Sequence, residues 1–110
     1  MFENATKQKF DEQLDTIFTA VWDNADPMEL RLVAVRGLFT SPRNEQFAVE
    51  FLGEPERFLG QGVQRLQHSV LGEMDLFITP INRDSKGYYY EAVFNYLIDP
   101  VDTGTPGGQS

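Results

Sequence analysis

The chain contains no cysteine. Disulfides, thiolate nucleophiles and Cys-ligated zinc are excluded with it. Histidine is nearly absent, His68 standing alone. A metal site would have to rely on carboxylates, which suits magnesium or calcium better than zinc. No apolar run approaches the ~20 residues that span a bilayer. The opening MFENATKQKF is polar and has no apolar h-region, so no secretory signal is expected. The expected setting is cytoplasmic, or part of a released particle. Basic residues are outnumbered, 9 against 17 acidic ones, for a net charge of −8. They are also scattered from Lys7 to Lys86. Phosphate backbones are bound through clustered Lys and Arg, so nucleic-acid and anionic-membrane binding are disfavoured. The negative field keeps a small protein soluble. It would also suit a basic partner.

What is present is enough for one domain. The chain has 110 residues, 41% hydrophobic and 13% aromatic, sufficient to bury a core. Residues 6–22 place Phe10, Leu14, Ile17, Phe18 and Val21 at helical spacing, which predicts an amphipathic helix. Asp, Asn and Pro between Asp23 and Pro27 should end it. The pattern then changes to strands. Met28–Phe39 carries Leu30, Leu32 and Ala34 on one face and Val33 and Val35 on the other, as a strand buried on both sides would. Ser41–Asn44 reads as a turn, and Gln46–Leu52 alternates cleanly. Gly53–Gly62 is a long connection. Val63–Ser69, Glu73–Asn82 and Tyr88–Ile98 follow as strands, with Pro80 marking an edge or bulge and Gly87 closing a hairpin. Residues 99–110, rich in Gly and Pro, read as a disordered tail after a single domain spanning 1–98.

The last strand holds the densest aromatic cluster. Tyr88, Tyr90, Phe94 and Tyr96 share one face, while Tyr89, Val93 and Leu97 share the other. Tyr at strand positions is explained first by β-propensity and cross-strand packing. The functional reading is a partner-binding surface, because Tyr joins an apolar body to a polar tip. A base-stacking platform would need more cations beside the rings.

No catalytic constellation emerges. A nucleophilic site built on His68 needs a serine and an acid near it in space, and the adjacent Ser69 points to the other side of a strand. Asp11 and Asp15 lie one helical turn apart, yet no calcium-loop pattern accompanies them. Glu73, Asp75 and Glu91 could do acid/base work only across a cleft that nothing defines. Gly60-Gln61-Gly62 is followed by a strand, so it fails the context of a dinucleotide fingerprint. No catalytic residue, cofactor or metal is therefore expected.

Residues 47–95 carry a resemblance. The elements are Gln61-Gly62, Leu66-x-His68, Leu71-Gly72-Glu73-x-Asp75-Leu76-Phe77 and Tyr90-Glu91-Ala92-x-Phe94-Asn95. This half of the chain is similar to a family of small uncharacterised bacterial proteins with a domain of unknown function. Members of that family are encoded near phage-tail-collar-like proteins. The resemblance implies an accessory or structural part in a tail-like or fibre-like assembly, and no activity.

The expected fold is α+β: an N-terminal helix packed on a curled, mostly antiparallel sheet of about five strands. The expected role is a non-enzymatic structural or protein-interaction component, with a protein partner or further copies of itself. The alternative is a small-molecule-binding module with an aromatic-lined pocket inside the sheet.

Overall fold

Ile17-Phe18-Thr19-Ala20-Val21 is rich in β-branched residues, and its burial alternates at every step. It is the strand β1, not the end of a helix. A computed structural model describes residues 7–97, with only the backbone described at Tyr96 and Leu97. The helix expected over 6–22 shrinks to α1, Lys7–Asp11. Asp15, at φ 69°, breaks the chain direction before β1. The apolar stripe fitted both periods, and the β-branched Ile17, Thr19 and Val21 decided for the strand.

The remaining strands are β2 (Met28–Ser41), β3 (Asn44–Leu52), β4 (Gly62–His68), β5 (Gly72–Asp84) and β6 (Gly87–Leu97). They close into a barrel in the order β1-β2-β3-β6-β5-β4. Every neighbouring pair is antiparallel. The α+β expectation is therefore corrected: the chain is almost all β, with six strands among the described residues and no long helix laid across a sheet. The strand counted as helix is the one that closes the barrel, pairing Thr19 with Gln67 on one side and with Glu29 on the other. The tail reading for 99–110 lies outside the described residues.

The barrel interior is a packed core. Phe18, Leu30, Leu32, Phe47, Phe51, Leu66, Ile78 and Tyr90 are all fully buried. A barrel of about eight strands is just wide enough for its own side chains to fill, and the diameter falls with strand number, so six strands leave a narrower interior still. The two-faced apolar pattern of β2 has a local cause. Its ladder with β3 shifts register between Leu32 and Ala34, and Val35 then turns inward against the core. A bulge, not burial on both sides, accounts for the pattern. The β5–β6 ladder shifts likewise between Pro80 and Asn82, where proline offers no N–H.

The ends of the barrel are closed differently. Toward the C-terminal end of β3, the 53–61 connection folds inward. Leu59 is buried there, its N–H donating to the Tyr90 hydroxyl at 2.9 Å. Toward the opposite end, α1 drives Phe10 against Phe18, Phe47 and Phe94.

Candidate functional site

Alternation along β6 decides where its rings go. Tyr88, Tyr90, Ala92 and Phe94 turn toward the core. Tyr90 is 0% exposed, and burial pushes its phenol pKa up. Phe94 stacks on Phe47 with ring centroids 4.7 Å apart. Tyr88 is half-buried and meets Phe58 edge-on at 5.1 Å. This face is core, so the surface reading does not extend to Tyr90. Phe10, Phe18, Phe47, Phe51 and Tyr90 pack into the core inside the sheet, where the alternative reading placed an aromatic-lined pocket.

The outward set is different. Tyr89 donates its hydroxyl to Asp84 at 2.8 Å. That bond, joined by the backbone N–H of Lys86, holds the Asp84 carboxyl below its ordinary pKa. Val93 is exposed. The side chains of Tyr96 and Leu97 lie outside the described residues; their backbones pair with Glu45 and Asn44.

His68 is buried at the end of β4, and both ring nitrogens are engaged. Nδ1 accepts the N–H groups of Val70 at 3.0 Å and Leu71 at 3.1 Å. That leaves the proton on Nε2, 2.8 Å from Oγ1 of Thr16, whose own hydroxyl donates to the Gln13 carbonyl. The ring lies 4.2 Å from Phe18. Burial lowers the imidazole pKa, which favours the neutral form. The ring is a neutral clasp between two turns, with neither nitrogen spare for a substrate proton.

The acidic candidates are dispersed. Asp11 pairs with Lys7. Asp75 receives two bonds from Arg65, at 3.0 and 3.4 Å, and is held below its ordinary pKa by them. Glu73 accepts from Gln67. Glu91 lies opposite Glu50 on β3, and Arg36 of β2 spans both at 2.5 and 2.8 Å. Among the described residues, no group of three or more His, Asp or Glu side chains is arranged to hold a metal ion.

Two features escaped the reading of the sequence. On the outer wall, Val63 of β4 lies directly opposite Phe77 of β5. They are 65% and 53% exposed. Alternation along β5 turns Phe77 away from the buried Met74, Leu76 and Ile78, but only the register brings it beside Val63. The second is Trp22, just beyond β1. Its Nε1–H donates to Gln64 at 2.8 Å, and the Arg57 guanidinium stands 5.7 Å over its ring. Arg57 is fixed in turn by the carbonyls of Asp26 and Pro27. Trp22 forms one wall of an open groove of about 650 Å³ whose other wall is the outer face of β4 and β5.

Fold and surface together define a small closed antiparallel barrel with a filled interior and an apolar pair on its outer wall. The chain belongs to the family described as Domain of unknown function (DUF6916), whose model matches residues 5–94. The match takes in the N-terminal segment as well as the half that carried the resemblance. Neither a curated protein nor a solved structure gave a match.

Proposed function

We propose that this barrel is a non-enzymatic protein-interaction module whose contact surface is its outer wall. The observation that carries this reading is the Val63–Phe77 pair. An apolar aliphatic and an aromatic side chain sit opposite each other in solvent. Exposed apolar groups of this size are stabilised when a partner covers them, and aromatic residues concentrate where partners meet. The engaged nitrogens of His68 support a module without hydrolytic chemistry. The neighbourhood that accompanies the family resemblance adds a tail-like or fibre-like assembly as the setting.

The test compares the wild type with Val63→Ser/Phe77→Ser by light scattering, alone and in extract from its native host. The wild type is expected to exceed the mass of one chain, through self-association or a bound protein. The double variant is expected to run as one chain, with an unchanged melting curve. A wild type that stays at one chain in both settings overturns the reading, as does a double variant that keeps the assembled mass.

A further inference from the structure

We propose that the groove between Trp22 and the outer face of β4 and β5 receives an extended basic segment of a partner protein. Apolar side chains of that segment would rest on Val63 and Phe77, and its Lys or Arg residues would lie among Asp23, Glu73 and Asp75. This rests on the interaction reading above and supplies the chemistry of the partner.

Shape comes first. The groove holds about 650 Å³ and is bounded by Trp22, Asp23, Val63, Arg65, Glu73 and Asp75. That volume falls within the range of clefts that take ligands. Its aromatic wall is held in advance. The indole is tied by Gln64 at one edge and covered by Arg57 on one face. A wall already fixed loses little entropy when a partner arrives. The apolar pair continues the groove along the β4–β5 ladder.

Charge then selects the occupant. Three carboxylates and one guanidinium line the groove, which leaves it net negative. Arg65 is bonded to Asp75 at 3.0 and 3.4 Å, and the charges of Glu73 and Asp23 add to that bond in raising its pKa. Arg65 is already committed to Asp75, leaving Asp23 and Glu73 without a basic side chain of their own in the groove. The whole chain carries −8. A second copy would bring another −8 and the same acidic groove, and like-charge juxtaposition disfavours that docking. Nucleic acid is disfavoured by the same sign. A basic segment with apolar residues between its charges meets both the acids and the Val63–Phe77 pair.

Trp22 is the only tryptophan, so its emission reports on this groove directly. The probe is a capped peptide alternating Lys with Val and Phe, titrated into the full chain, with a Glu-for-Lys peptide as its counterpart. The Lys peptide is expected to shift Trp22 emission saturably, and the Glu peptide to leave it unchanged. Asp23→Asn/Glu73→Gln should weaken binding about tenfold, because both removed charges face the peptide. Glu12→Gln/Glu45→Gln, neutralising one acid just after α1 and one at the start of β3, both outside the groove lining and toward the other end of the barrel, should leave it within about twofold. No saturable shift overturns the proposal. Equal loss in the two neutralised variants also overturns it, since binding would then follow net charge alone. If the Lys peptide fails while Val63→Ser/Phe77→Ser still disperses the native assembly, the groove proposal falls and the outer-wall reading stands. If both experiments are negative, both fall.

Discussion

His68 and Thr16, 52 residues apart in sequence, share a hydrogen bond of 2.8 Å that ties the β4–β5 turn to the turn preceding β1. Protonation would leave that bond intact, but the other side of the ring works only when neutral. Nδ1 already faces two N–H donors from Val70 and Leu71, so a second ring proton would point at them. Burial lowers the folded-state pKa below the ordinary 6.5. The unfolded chain therefore takes up its proton first as pH falls. Stability is flat above about pH 6.5, falls as pH drops toward the folded pKa, and levels off below it. Urea midpoints measured from about pH 7.5 to 5.5, where most carboxylates remain ionised, should show this decline. His68→Asn keeps an acceptor for the turn amides and should remove the slope. Identical pH dependence in both proteins would show that the ring is not the titrating clasp.

The start of β6 depends on the absence of a side chain. Gly87 has φ +151°, and a Cβ there would run into the carbonyl oxygen of Gly53. Gly53 in turn donates its N–H to the Tyr88 carbonyl at 2.8 Å, so the two glycines hold the 53–61 connection against the β5–β6 hairpin. Gly87→Ala should cost at least about 1–3 kcal/mol through strain and displacement of that connection. Denaturant unfolding measures it. An unchanged midpoint would mean that the close approach does not constrain the fold.

Five of the six strands, β2 to β6, were legible along the chain, because period-2 alternation survives wherever one face of a strand is buried. Phe47, Val49 and Phe51 alternate and all point inward. Closure was not legible. It depends on Thr19 meeting Gln67, a non-local pairing that no local pattern announces. The stripe Phe10-Leu14-Ile17-Phe18-Val21 matched helical spacing, and one β-rich segment was drawn into the wrong period. In β6 the two faces were separable, but which faced inward was not, since each carried large apolar groups. Val63 and Phe77 lay on two separate strands of the sequence reading; only the register made them a pair. Trp22 lay just past β1 and had no periodic partner to reveal it.

Arg36 binds two carboxylates that face each other across β3 and β6. Glu50 and Glu91 are register partners, an arrangement that repels when unscreened. Arg36 bridges both from β2. Arg36→Met should destabilise by about 0.5–1 kcal/mol, the range for partly exposed pairs, and added salt should recover part of the loss. Arg36→Met/Glu91→Gln should be more stable than Arg36→Met alone. A double-mutant cycle reads the coupling. Strict additivity would show that the three groups do not act together.

The helix α1 is held by one ring more than by its own propensity. Five residues are too few for a helix to persist alone in water, so Lys7–Asp11 must draw its order from packing. Phe10 is fully buried, with its centroid 5.1 Å from Phe94, 5.9 Å from Phe47 and 6.1 Å from Phe18. Phe10→Ala should cost about 3–5 kcal/mol, as for other buried aromatic truncations. It should also raise hydrogen exchange at β3 and β6 near Phe47 and Phe94. Gln8 is exposed on the same helix, and Gln8→Gly should cost no more than about 1 kcal/mol. If the two substitutions prove equally damaging, helix propensity rather than the Phe10 contacts is what closes this end of the barrel.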